Sequence, residues 1–113
     1  MREFETGATR DNDDGKFDYE GFLSPIVLKR FAQYMHKHRL QADGQLRASD
    51  NWKRGIPFSA YMKSLFRHFM DVWAYHAQGA HSVEDLDALE NALCATLFNV
   101  QGYLHELLKL RGQ

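Results

Sequence analysis

The sequence predicts an all-α fold: a small helical bundle of three main helices, with an irregular N-terminal arm over residues 1–22 and a single helical domain over 23–113. Three observations carry this. Apolar residues recur at steps of three and four in three long stretches. Those stretches open on capping residues (Ser24-Pro25 and Ser82) or close on a terminator, Gly79. No strand-type alternation and no internal repeat occurs, so the helices have only one another to pack against. A long connection, 39–57, separates the first two helices.

The totals fit one small core. The chain has 113 residues, 44% of them apolar and 13% aromatic, which excludes a disordered chain. Net charge is −1, but it is unevenly spread: residues 1–20 carry −4 and the remainder +3. Any anion-binding surface is therefore expected on the helical body. So small a positive balance gives little counterion release, so no nucleic-acid partner is expected. The one cysteine, Cys94, lies in a helical pattern and reads as a packing residue in a reducing compartment. No apolar run approaches the ~20 residues that span a bilayer. The acidic N-terminus lacks the apolar segment of a signal peptide. The expected setting is cytoplasmic, with no membrane partner.

In chain order, residues 1–21 are charged and Asn/Asp-rich, and read as an irregular or extended arm that Phe4, Phe17 and Tyr19 tack onto the core. Ser24 caps the first helix and Pro25 occupies its first position. Val27, Leu28, Phe31, Met35 and His38 share one side of it, to about His38. His36 and His38 stand at i, i+2 on different faces, so a joint metal site is not expected there, and their charge suits the helix C-terminus. The connection 39–57 offers Arg47, Lys53 and Arg54 for an anion, Trp52 for a flat ring and Asn51 for orientation. It reads equally as Trp52 capping the core among solvated cations.

The second helix, from about Ser59 to His76, has an apolar stripe of Met62, Leu65, Phe66, Phe69, Val72 and Trp73, expected to face the core. Ser64, Arg67, His68, Asp71 and Tyr75 lie opposite. An acid, an imidazole, a guanidinium, a hydroxyl and a phenol within about three turns can bind a metal or a phosphate, or form a solvated face with a local ion pair. Ser82, with Asp85 three residues on, starts the third helix, which runs to about Leu110. Leu86, Leu89, Leu93, Leu97, Val100, Leu104 and Leu107 form a near-heptad seam that suits an antiparallel partner in the domain or in a second chain. Glu90 borders the seam. Asn99 lies on another side, with Ala92 and Ala95, where small residues allow close approach.

Asp71 and Glu90 are the best carboxylates for Mg²⁺ or Mn²⁺, hard ions that want oxygen ligands. His68, one turn before Asp71, can complete that shell or act as a base. Asp71, Glu90 and His68 are thus the expected metal and catalytic set. No P-loop, dinucleotide, nucleophile-elbow or zinc signature is present.

Short blocks in order along the chain carry a resemblance. ETGATRDNDDGK, DNWKRGIP, SLFRHFMDVW and LCATLFNV resemble the dATP/dGTP diphosphohydrolases of phages and prophages, MazG-like all-α nucleotide pyrophosphohydrolases. The matching positions are Thr6, Gly7, Ala8, Arg10, Asp11, Gly15, Lys16, Asn51, Trp52, Gly55, Arg67, His68 and Asn99. The Glu-Glu-x-x-Glu helix of the wider superfamily has no counterpart here. The resemblance implies a metal-dependent hydrolase that splits a purine deoxynucleoside triphosphate into monophosphate and pyrophosphate, and association of two or more chains. Substrate contacts are then expected from Arg10, Lys16, Asn51, Trp52, Lys53, Arg54, Arg67 and Asn99. The alternative is a non-catalytic helical module that binds nucleotides or another protein.

Overall fold

The structure, a computed structural model, describes residues 2–12 and 14–113. It is a small all-α fold with one two-stranded sheet. Strands β1 (Arg2–Glu3) and β2 (Thr9–Arg10) pair antiparallel, Arg2 opposite Arg10. A single turn, α1 (Tyr19–Phe22), follows, its first turn held by Asp18, whose Oδ1 accepts from Gly21 N at 2.9 Å. The arm is thus a small hairpin and a helical turn. Of the aromatics expected to tack the arm onto the core, Phe17 and Tyr19 are 75% and 68% exposed and do not, and Phe4 is 39% exposed.

The three long helices fall where the capping signals put them. Helix α2 spans Pro25–Lys37, and Ser24 Oγ accepts from Val27 N at 3.2 Å. Helix α3 spans Phe58–Gln78 and stops at Gly79, whose φ of +85° only glycine adopts readily. Helix α4 spans Val83–Leu110, with Ser82 Oγ accepting from Asp85 N at 3.1 Å. The connection after α2 is more ordered than a loop. Leu40 bridges Leu46, Arg47 N donates to Arg39 O at 2.8 Å, and Gln41 N donates to Gln45 O at 2.9 Å. A 3-10 turn, Asn51–Arg54, then leads into α3.

Helices α3 and α4 form an antiparallel hairpin, and α2 touches α4 over a shorter stretch. The inner face of α4 is built from Ala92, Ala95, Asn99 and Gly102, all buried. Small side chains let α3 approach closely. A Cβ on Gly102 would meet the Tyr61 ring, which is 1% exposed. Gly102→Ala is therefore expected to destabilise the chain by about 1–3 kcal/mol through overpacking against this ring, read as a lower urea midpoint with unchanged slope.

Two expected faces hold only in part. On α3, Phe58, Tyr61, Ser64, Leu65, His68, Val72 and Tyr75 are buried or half-buried, so Leu65 and Val72 of the expected stripe turn inward, whereas Met62, Phe66, Phe69 and Trp73 are exposed. On α4, Leu89 and Leu97 of the seam are half-buried, whereas Leu86, Leu93, Val100, Leu104 and Leu107 are exposed. The physical reason is shape. Ala92, Ala95 and Gly102 admit a neighbouring helix more closely than a ridge of leucines does, and the polar edge of α3 borders a cleft rather than bulk solvent. No helix among the described residues is long and apolar enough to cross a membrane.

Candidate functional site: a carboxylate-free cleft

The end of α2, the connection, the polar edge of α3 and the small-residue face of α4 enclose a cleft of about 500 Å³. From α2 come Tyr34, Met35 and His36, followed by His38 and Arg39. The connection adds Arg47, Ser49, Asn51, Trp52 and Ile56. Ser64 and His68 line it from α3, and Ala95, Phe98 and Asn99 from α4.

Each wall has a local cause. Trp52 is anchored edge-on against α4, its ring 6.1 Å from Phe98 and 4.8 Å from His105. Phe98 in turn meets Tyr61 at 5.9 Å, so the aromatic floor continues into the core. Asn99, 3% exposed, donates from Nδ2 to Ala95 O at 2.8 Å, which fixes its amide on the wall. His38 stacks on Tyr34 at 4.1 Å, and its Nδ1 donates to Tyr34 O at 2.9 Å, leaving Nε2 without the proton when the ring is neutral. Arg39 Nε donates to Arg47 O at 2.7 Å and so ties the two ends of the hairpin together.

Among the described residues the lining holds two guanidiniums, three imidazoles, two amides and two hydroxyls of serine, and no Asp or Glu. Negative partial charge at the α2 C-terminus opposes an anion, and His36, Lys37 and His38 are placed to offset it. Burial pushes the Tyr34 phenol up from its ordinary pKa, so it stays a neutral hydrogen-bonding group.

Of the residues expected from sequence, Asn51, Trp52, His68 and Asn99 converge on this cleft. Lys53 and Arg54 face a neighbouring hollow shared with Asp50, and Lys53 Nζ lies 5.6 Å from the Trp52 ring centre. Arg67 is exposed outside the cleft, with Nη2 3.5 Å from Ser64 Oγ. Arg10 and Lys16 sit on the exposed arm and do not line the cleft. Asp71 is exposed, one turn beyond His68, and lies outside the cleft.

Glu90 is committed elsewhere: it accepts from Arg30 Nε at 2.6 Å, while Arg30 Nη2 donates to Asn91 Oδ1 at 3.0 Å. The hydrogen bond to Glu90 is the main reason the Arg30 pKa is raised. The structure therefore does not gather Asp71, Glu90 and His68 into the expected shell. Among the described residues no group of three or more His, Cys, Asp or Glu could hold a metal. The described residues assemble no protein cage for Mg²⁺ or Mn²⁺.

Sequence reasoning missed Arg39, Tyr34 and Ser49, and read His36 and His38 as unmatched metal ligands or as charges that suit the helix C-terminus. The run YMHKHR carries a signal in its density of cations, for which helix-dipole complementation is a sufficient local reason. Helix periodicity cannot report that the following hairpin folds back beside it.

No protein-family model matches the chain, and neither a curated protein nor a solved structure does. The cleft must be read on its own chemistry.

Proposed function

We propose that the cleft binds a purine deoxynucleoside triphosphate, and that the chain hydrolyses its α–β phosphoanhydride to a monophosphate and pyrophosphate. One observation carries the binding step: a 500 Å³ cleft that places Arg39 and Arg47 beside Trp52 and Tyr34, with no carboxylate among the described residues that line it. Guanidiniums suit phosphate oxygens, aromatic faces suit a base, and the volume suits a small-molecule site. Asn51 and Asn99 offer the donor and acceptor pairs that read a base edge. The purine and the deoxyribose rest on the resemblance of the TGA-x-RD, NW-x-x-G and RH blocks.

In hydrolysis a water oxygen bonds to the α-phosphorus as the bond to the α–β bridging oxygen breaks. Pyrophosphate leaves with that oxygen, and the water proton passes to a base. His68 is that base in this scheme, being the cleft imidazole held within the span of α3. Mg²⁺ or Mn²⁺ would be carried by the triphosphate rather than by the cleft residues, since Mg²⁺ is commonly held by substrate phosphates with most of its waters retained, and would draw charge off the phosphate.

The test is release of pyrophosphate from dATP and dGTP with Mg²⁺ or Mn²⁺, beside thermal stabilisation by the same nucleotides. Turnover that His68→Asn abolishes while stabilisation persists is the expected result. The absence of both turnover and stabilisation would overturn the proposal. The carboxylate-free lining favours a second reading, nucleotide binding without hydrolysis, which predicts stabilisation with no pyrophosphate.

A further inference from the structure

His38 is the cleft imidazole whose orientation the backbone decides. It caps the C-terminus of α2, where its own amide donates to Tyr34 O and Met35 O, each at 3.2 Å. Its ring lies on the Tyr34 ring, centroids 4.1 Å apart and planes inclined by 34°. Nδ1 stands 2.9 Å from Tyr34 O. A carbonyl oxygen only accepts, so Nδ1 keeps its proton whether the ring is neutral or charged. Any proton that the ring gives up therefore leaves from Nε2. The negative end of α2 and the face of the Tyr34 ring both accommodate a charged imidazole.

The charged and titratable groups that line the cleft with it are few. Tyr34, His36 and Arg39 stand beside it in the chain, Arg47 comes from the connection and His68 from α3. From α4 the lining residues are Ala95, Phe98 and Asn99, none of them ionisable. Cleavage at the α-phosphorus leaves charge on the bridging oxygen, and no carboxylate among the described lining residues can hold a metal against it. Guanidiniums offset charge but do not release a proton. An imidazolium does both. An in-line displacement sets the attacking and leaving oxygens on opposite sides of phosphorus, and His38 and His68 reach the cleft from different walls.

We infer that His38 is the general acid of the cleft, protonating the leaving pyrophosphate from Nε2 while His68 takes the proton of the attacking water. The inference rests on the hydrolysis reading above. The water oxygen bonds to the α-phosphorus as the bond to the bridging oxygen breaks. The electron pair of the broken bond stays on that oxygen, which receives the His38 proton. His38 is left as the neutral Nδ1–H tautomer, the one that Tyr34 O already holds, so the ring need not turn. His68 ends protonated, and proton exchange of both rings with water restores the starting state.

Two substrates separate this role from a structural one. dATP must release pyrophosphate, which takes up the proton. The 4-nitrophenyl ester of dAMP releases a phenolate that is stable without one. His38→Asn keeps an amide nitrogen for the bond to Tyr34 O and removes the acid. With Mg²⁺ present it is expected to lower kcat for dATP by roughly 10²- to 10⁴-fold, and to leave kcat for the ester at the wild-type value. The acid must hold its proton to act, so the fall of the wild-type dATP rate at alkaline pH is expected to vanish in the variant. Equal losses on both substrates, or no loss on dATP, overturn the inference and leave the hydrolysis reading standing. A wild-type chain that releases no pyrophosphate overturns both. If circular dichroism shows His38→Asn unfolded, His38→Gln takes its place in the same comparison, with the same outcomes deciding.

Discussion

Replacing Arg47 by alanine is expected to weaken nucleotide binding by about tenfold to a hundredfold, the equivalent of ~1.5–3 kcal/mol for a charged hydrogen bond. The substitution is clean for a structural reason. Arg47 holds the hairpin through its backbone, whose carbonyl accepts from Arg39 Nε and whose amide donates to Arg39 O. Its side chain is exposed and lines the cleft, so alanine removes the guanidinium and leaves the tie. Isothermal titration of dATP or dGTP reads the loss directly. Arg47→Lys keeps the charge without the planar fork, and is expected to recover part of the affinity. Equal affinity in wild type and Arg47→Ala would remove this residue from phosphate recognition.

Trp52→Ala is expected to have the largest effect on stability among cleft residues. The ring is half-buried and packs on Phe98 and His105, so its loss costs about 2–3 kcal/mol, below the ~3–5 kcal/mol of a fully buried aromatic. Urea unfolding followed by circular dichroism gives the number. Trp52→Phe keeps much of the edge-on packing and is expected to cost under half as much. Because the same ring forms the cleft floor, both variants are also expected to lose nucleotide affinity. An unchanged urea midpoint for Trp52→Ala would show that the contacts with α4 contribute no stability.

The helices were legible because their signals are local. Ser24, Ser82 and Gly79 each act within one turn, and each marks a helix end in the structure. The inward faces were legible only in part: Ala92, Ala95 and Asn99 were read as a side of close approach and are buried, and of the two apolar rows only Leu65, Val72, Leu89 and Leu97 turn inward. A stripe such as Met62-Phe66-Phe69-Trp73 says that a helix buries something, but not whether the cover belongs to its own chain. The small residues Ala92, Ala95 and Gly102 decided which face of α4 receives α3, and they contribute little to a hydrophobic count. The site was half legible. Asn51, Trp52, His68 and Asn99 converge because each sits on an element whose position follows from the hairpin and the 3-10 turn. Glu90 could not be placed, because its partner Arg30 lies sixty residues earlier, and its charge says nothing about which cation will meet it.

That pairing gives the cleft a dependence on ionic strength from two directions. Helix α2 supplies one wall yet meets α4 over a short stretch, with Phe31 buried and Arg30 bridging Glu90 and Asn91. The two charged side chains are 32% and 53% exposed, within reach of mobile ions. Added salt screens a phosphate ligand from Arg39 and Arg47, and it also relaxes the latch that sets how far the α2 wall stands from the floor. Affinity measured against salt then falls more steeply than ligand charge alone dictates, and Arg30→Met with Glu90→Leu, an uncharged latch, separates the two contributions.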